Sequence, residues 1–229
     1  KNFQVWDDNN INSYKSLRSQ NLIKSLKEVN YIILSPGVSL KKTKNKKLLN
    51  KYKNKIITDI DLIYLLKGDF KTIVVTGTNG KSTTCKIINH VLKKNNYRSY
   101  VGGNIGTPIL DLNIKKVNFL VIEASSFQLS HSKFVCPDFA FLLNITNDHL
   151  DWHGNMNNYL NSKLKIFKLQ KRNQYSFIDN KLKNFFKKKK FSGKLILPEL
   201  KNYKKIKSQI SNPYISSSIN DNNMSNVMA

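Results

Sequence analysis

Lys81 and Ser82 stand directly behind a glycine, an order suited to holding phosphate. The stretch Gly77-Thr78-Asn79-Gly80-Lys81-Ser82-Thr83 follows the β-branched run Ile73-Val74-Val75. Glycines let a backbone turn tightly with no Cβ between it and a ligand. Free N–H groups at the start of a helix point at an anion. A lysine ammonium there reaches terminal phosphates, and a serine hydroxyl can ligate Mg²⁺. The general pattern carries one more glycine upstream, where this chain has Val75. The plain alternative is a glycine turn that happens to carry a lysine. Strand, Gly77, Gly80-Lys81-Ser82 and an apolar helical face all fall in order, which favours the phosphate loop.

Other polar groups cluster at the ends of apolar runs. Glu123 closes Phe119-Leu120-Val121-Ile122 and suits either a metal-bridging carboxylate or an ordinary strand-end acid. Ser125, Ser126 and Gln128 follow it with hydroxyls and an amide on one edge. The loop Gly102-Gly103-Asn104-Ile105-Gly106-Thr107-Pro108 suits close backbone approach to a ligand, or a plain connection. Asp148-His149-Leu150-Asp151-Trp152-His153 pairs two histidines with two acids, as a metal site or as a polar loop. The phosphate loop upstream favours His149 facing a nucleotide's metal. Nothing intrinsic marks Lys163, which lies partway along a helical pattern and is solvent-facing by default.

The elements that must position these groups alternate between strand and helix. Residues 3–8 read as a short strand, and Tyr31-Ile32-Ile33-Leu34 as another that stops at the turn Ser35-Pro36-Gly37. Ligands of open α/β sheets bind at such carboxyl ends. A lysine-rich helix is expected over residues 41–52, a strand at 55–57, and a helix over 60–67 with Asp59 as N-cap. A boundary falls at Lys67-Gly68-Asp69-Phe70. The phosphate-loop helix covers residues 82–94, with Ile87, Ile88, Val91 and Leu92 on one side. Buried strands are expected at 119–123 and 139–145, a helix at 159–167, strands at 174–178 and 195–197, and a basic helix at 181–190. The predicted class is α/β: a partial Rossmann-like N-terminal domain over residues 1–69. A P-loop-type central ATPase domain with a mainly parallel sheet follows over 70–229.

The chain has 229 residues, 40% of them hydrophobic, enough for a core. No run is long and apolar enough for a membrane span, and no signal peptide opens it. Cys85 and Cys136 have no metal or redox spacing and read as small buried hydrophobes in a reducing compartment. The net charge is +25, from 39 basic and 14 acidic residues. Such a balance suits a nucleic acid or an acidic membrane. The lysines are scattered among asparagines and isoleucines, however, which indicates a general compositional bias rather than a built patch. Runs at 41–47 and 187–190 read as solvated faces. The chain has no initiator Met and stops as a helical pattern begins, so it reads as a fragment.

Together these loops resemble the ATP-dependent Mur ligases of peptidoglycan synthesis. The motifs that carry the resemblance are Ser35-Pro36-Gly37, residues 77–83, Gly102-Gly103-Asn104-Ile105-Gly106, residues 123–129 and residues 144–151, with Lys163 beyond. Their order and spacing across most of the chain are specific. The phosphate loop without its early glycine is also the form this family uses. The Gly-Gly-Asn-Ile-Gly and Ser-Ser-Phe-Gln-Leu stretches point to the branch that adds D-glutamate to UDP-N-acetylmuramoyl-L-alanine. Other members of the family, or a basic P-loop protein that associates with nucleic acid, are the competing readings.

The resemblance implies a UDP-sugar domain lacking its opening strand and helix, a nearly complete ATPase domain, and an absent third domain. It implies ATP and Mg²⁺ as cofactors, with no nucleic acid, and a cytoplasmic monomer. Lys81, Glu123, His149 and Lys163 would be catalytic. Gly77, Thr78, Asn79, Gly80, Lys81, Ser82 and Thr83 would hold the nucleotide's phosphates. Ser82, Glu123, His149 and, once carbamylated, Lys163 would ligate metal. Ser35, Pro36 and Gly37 would help hold the UDP part, and Asn104, Ser125, Gln128 and Tyr159 would lie against the muramoyl substrate. The family's His-Asn pair before its hinge helix is Asn222-Asn223 here; Asn223 and Asn226 fit adenine- or ribose-side roles.

Overall fold

The computed structural model describes residues 3–7, 17–66 and 68–197, which fall into two compact units divided between Ile57 and Thr58. In the first unit, α1 (Leu22–Glu28) is capped by Asn21, whose side chain accepts from Lys24 N at 3.0 Å. Strand β1 (Ile32–Ile33) runs into the Ser35-Pro36-Gly37 turn, closed by Val38 N donating to Ser35 O. Helix α2 (Lys46–Lys51) is shorter than the expected 41–52. Ser39 and Thr43 explain the loss: their hydroxyls accept from Lys41 N and Asn45 N, competing with helical bonding. Strand β2 (Ile56–Ile57) pairs parallel with β1 over a small core of Leu26, Leu34, Leu49 and Ile56. The strand expected over residues 3–8 is limited, among described residues, to one bridge between Val5 and Arg18.

The second unit opens with α3 (Asp59–Leu65). Its N-cap is Thr58 rather than Asp59, because Asp61 reaches back to Thr58 N at 3.0 Å in a capping box. Ile60 and Ile63 of α3 pack into the core of the second unit. The compact unit therefore starts before the glycine-acid stretch at residues 67–70.

Strand β3 (Lys71–Thr76) leads through the glycine loop to α4 (Lys81–Lys94). Next come β4 (Ser99–Gly103), β5 (Phe119–Glu123), α5 (Ser126–His131) and β6 (Phe139–Leu142). The remainder is α6 (Leu150–His153), α7 (Met156–Lys163), α8 (Lys165–Lys168), β7 (Tyr175–Ile178), α9 (Lys183–Lys188) and β8 (Lys194–Ile196). The strands form one six-stranded sheet in the order β4-β5-β3-β6-β7-β8, every described pairing parallel. The fold is α/β, as expected.

Alternation along β3 divides the core. Ile73 and Val75 face α4, beside Cys85, Val121 and Phe141. Val74 faces the other layer, with Ile60, Leu129, Ile166 and Phe167. Strand β3 lies between β5 and β6, so the chain crosses it in passing from one to the other. That is the position at which an open parallel sheet leaves a crevice beyond its carboxyl ends. No helix among the described residues is long and apolar enough to cross a membrane.

Candidate active site

The glycine loop is built at the carboxyl end of β3 and held from the end of β6. Gly80 takes a left-handed conformation, φ 82°, which ends the loop and releases α4. The Asn144 side chain clamps Asn79: its Oδ1 accepts from Asn79 N at 2.8 Å and its Nδ2 donates to Asn79 O at 3.0 Å. Thr78 N donates to Asn144 O, and Thr146 N donates to Thr78 Oγ1. Lys81 Nζ donates to Thr78 O at 2.8 Å, which places its ammonium along the loop. The first turn of α4 adds its unpaired N–H groups to that positive end. Asn144 was not anticipated as a loop residue; its signal was a polar side chain at the end of a buried strand.

Glu123 joins the loop to the second glycine stretch. It is 1% exposed. Its Oε2 accepts from Ser82 Oγ at 2.7 Å and its Oε1 from Asn104 Nδ2 at 2.9 Å. Asn104 N also donates to Glu123 O. The backbone at Gly103 makes that approach possible: with φ at 109°, an added Cβ would lie 2.4 Å from Glu123 O. Ser82 and Glu123 offer hard oxygen donors beside an anion-binding helix start, a set that fits Mg²⁺. Lys163 as an amine or ammonium adds no oxygen. Among the described residues no group of three or more His, Cys, Asp and Glu forms a further metal cluster.

Lys163 is not solvent-facing. It ends α7 and is 2% exposed, with Nζ donating to Gly77 O at 2.7 Å and lying 4.7 Å from the Tyr159 ring centroid. Burial, with the nearby Lys81 charge, pushes its pKa down to about 7 despite the opposing pull of Asp148 and Glu123. Tyr159 is buried beneath the loop, its hydroxyl 3.0 Å from Thr78 Oγ1. Burial raises its phenol pKa.

His149 sits at the N-cap of α6 in the left-handed region, φ 50°. Its Nε2 is 3.3 Å from Asp148 Oδ2, and its ring lies 4.7 Å from that of Phe127. It remains partly exposed. His153 turns inward instead: it is buried, stacks on Phe127 and has Nε2 3.0 Å from Ser126 Oγ. The two histidines therefore do not converge on one point.

Ser125 and Gln128 form the capping box of α5, a helix that the sequence reading did not anticipate although Ser-x-x-Gln is its signature. Ser125 N and Oγ donate to Gln128 Oε1, and Gln128 N donates to Ser125 Oγ. Ser35, Pro36 and Gly37 lie in the first unit. Asn223 and Asn226 lie outside the described residues.

Residues 75–225 match the family model of the Mur ligase middle domain. The chain is similar to the UDP-N-acetylmuramoylalanine--D-glutamate ligase of Wolbachia pipientis wMel. The two are 45% identical over 140 residues, which cover 61% of this chain and 27% of that protein. The protein of the same name from Rickettsia bellii (strain RML369-C) is 38% identical over 181 residues, covering 76% of this chain and 40% of the relative. The chain thus spans between 27% and 40% of the length of these two relatives. In fold it is similar to the crystal structure of UDP-N-acetylmuramate:L-alanyl-gamma-D-glutamyl-meso-diaminopimelate ligase from Neisseria meningitides. That match has a TM-score of 0.51 at 16% identity and covers 76% of this chain and 60% of the other.

Proposed function

The chain belongs to the Mur ligase family, and from that premise we propose that it supplies the nucleotide-binding part of an ATP-dependent ligase. The reaction is addition of D-glutamate to UDP-N-acetylmuramoyl-L-alanine in peptidoglycan precursor synthesis, with ATP converted to ADP and phosphate. The observation that carries this reading is Glu123, buried and bonded at once to Ser82 of the phosphate loop and to Asn104 of the second glycine loop. A carboxylate so placed joins the nucleotide side of the crevice to the substrate side.

In this reading the substrate carboxylate oxygen attacks the γ-phosphorus, and the bond to the β–γ bridging oxygen breaks. ADP leaves and an acyl phosphate remains. The amine of D-glutamate then attacks the acyl carbon. Phosphate departs, and the nitrogen loses a proton. The main physical demand is to bring two anions together. Lys81 and the N–H groups of the loop and α4 offset the charge of the transferring phosphoryl group. Asn144 holds the loop in the shape that aims those N–H groups. Asn104, Ser125 and Gln128 orient the muramoyl side, with Tyr159 nearby beneath the loop.

Ser82 and Glu123 would hold Mg²⁺, with His149 and a carbamylated Lys163 at a second ion. Bound Mg²⁺ supplies charge neutralisation between phosphate and carboxylate. The depressed pKa of Lys163 leaves a substantial neutral-amine fraction near pH 7, the form that adds CO₂. Asn223 and Asn226 would serve the base or ribose, and Ser35, Pro36 and Gly37 the UDP part. The same reading makes the protein a cytoplasmic monomer.

The test is phosphate release by the full-length protein, with ATP, UDP-N-acetylmuramoyl-L-alanine and a panel of amino acids. Release that requires both the nucleotide sugar and D-glutamate is expected. Release with a different amino acid would move the protein to another branch. No release in any combination would remove the ligase assignment. Lys81→Ala should abolish turnover, and unchanged rate and ATP affinity would exclude the phosphate-loop role.

A further inference from the structure

Gln128 has a side-chain amide whose two ends are alike in shape and opposite in polarity, so a neighbour must decide which end points where. Gln128 Nε2 lies 3.1 Å from Asp59 Oδ1 and 3.0 Å from Asp59 Oδ2. An ionised carboxylate only accepts, so the NH₂ end faces Asp59 and Oε1 faces the other way. There Oε1 receives both Ser125 N and Ser125 Oγ, each at 3.0 Å. Reversing the amide would set oxygen against oxygen at Asp59 and N–H against N–H at Ser125. The capping box would then open.

Asp59 begins α3, whose capping-box residue Asp61 accepts from Lys133 N and Phe134 N just beyond the end of α5. Lys165 Nζ meanwhile donates to Ser130 O and Ser132 O. The six residues of α5 are thus tied at the front by Asp59 and at the back by Asp61 and Lys165. A helix this short does not hold its own geometry in isolation.

We propose that Asp59 is a positioning residue for the substrate subsite. It locks the orientation of Gln128 and, through Gln128, that of Ser125. The inference rests on the ligase reading for the identity of what binds there. It assigns Asp59 no contact with substrate.

The experiment uses the full-length protein and separate KM values for ATP and for UDP-N-acetylmuramoyl-L-alanine. Asp59→Leu should raise the nucleotide-sugar KM about tenfold and leave the ATP KM within about twofold. Gln128→Glu alone sets two carboxylates against each other and should cost at least as much. The conservative change Asp59→Asn leaves Gln128 itself untouched and keeps one oxygen that accepts from Gln128 Nε2. It should keep the nucleotide-sugar KM within about threefold of the unmodified protein. An Asp59→Leu protein that shifts both KM values alike or neither, or an Asp59→Asn protein no better than Asp59→Leu, would overturn the proposal.

An unmodified protein that shows no turnover would bring down the ligase reading instead. The same variants are then compared by NMR of the Gln128 side-chain amide. Loss of its shifted, exchange-protected signals in Asp59→Leu supports the locking role, and unchanged signals refute it.

Discussion

Burial takes Lys163 almost wholly out of water, and its titration should show it. Its pKa falls from the ordinary 10.5 to about 7, chiefly by desolvation. Between those values the unfolded chain binds the extra proton and the folded chain does not, so stability rises with pH across that window. Below about pH 7 the full penalty of the buried ammonium is present. Lys163→Met should therefore raise the melting temperature most at neutral and lower pH. The gain over the unmodified chain should shrink as pH approaches 10.5. A gap that does not change with pH would mean that Lys163 keeps its ordinary pKa or carries the carbamate, which removes the titrating amine. Asn144 carries a second expectation at this scale. Asn144→Ala removes both bonds to Asn79 and should weaken Mg-ATP binding about tenfold in a titration, with little change in melting. The turn between β3 and α4 that carries Lys81 and Ser82 was legible because turn chemistry is local. Lys163 was not, because a helical lysine is buried only by what packs over it.

Asp61 shows how an element can depend on one buried group. It accepts from Thr58 N, Lys133 N and Phe134 N, and is fully buried. Asp61→Ala leaves these N–H groups without an acceptor and should destabilise the second unit by about 3 kcal/mol or more in urea unfolding. A loss of under about 1 kcal/mol would mean that water replaces the carboxylate there. Gly103 sets the spacing between β4 and β5. Gly103→Ala meets Glu123 O and needs a positive φ, so it should cost about 2 kcal/mol and lower ATP turnover by displacing Glu123. Strand β5 was readable from its continuous apolar run and helix α4 from the Gly80-Lys81-Ser82 start with one apolar side. The extent of α2 was not, because Ser39 and Thr43 compete for its backbone. The N-cap of α3 differs by one residue from the reading, since Asp61 selects Thr58 through a reciprocal bond. Helix α5 is present in the sequence as the capping box Ser125-x-x-Gln128, but these residue types equally suit a ligand-binding edge, so the pattern does not by itself select the helix.

At the scale of the whole chain, the charge of +25 is spread along the sequence rather than gathered in one stretch. Exposed Lys41, Lys42, Lys46 and Lys47 belong to the first unit, and Lys187, Lys188, Lys189 and Lys190 to the second. Binding of a short DNA duplex should accordingly be weak and largely lost by about 200 mM salt. It should also be insensitive to Lys81→Ala. Tight binding that persists in high salt would revive the nucleic-acid reading. By itself the sequence determined the α/β class, the glycine loop between β3 and α4, and the strand ends at which polar groups collect. Those follow from local turn chemistry and from periods of a few residues. Only the tertiary structure decided that Glu123 bonds to Ser82 and Asn104, that Lys163 is buried under the loop, and that His149 and His153 diverge. The Glu123 contacts depend on which strands lie side by side in the β4-β5-β3-β6-β7-β8 order, and the histidine and lysine outcomes on how α5, α6 and α7 pack. Residues far apart in the chain meet there because parallel strands share one carboxyl edge, and a local pattern carries no record of strand order.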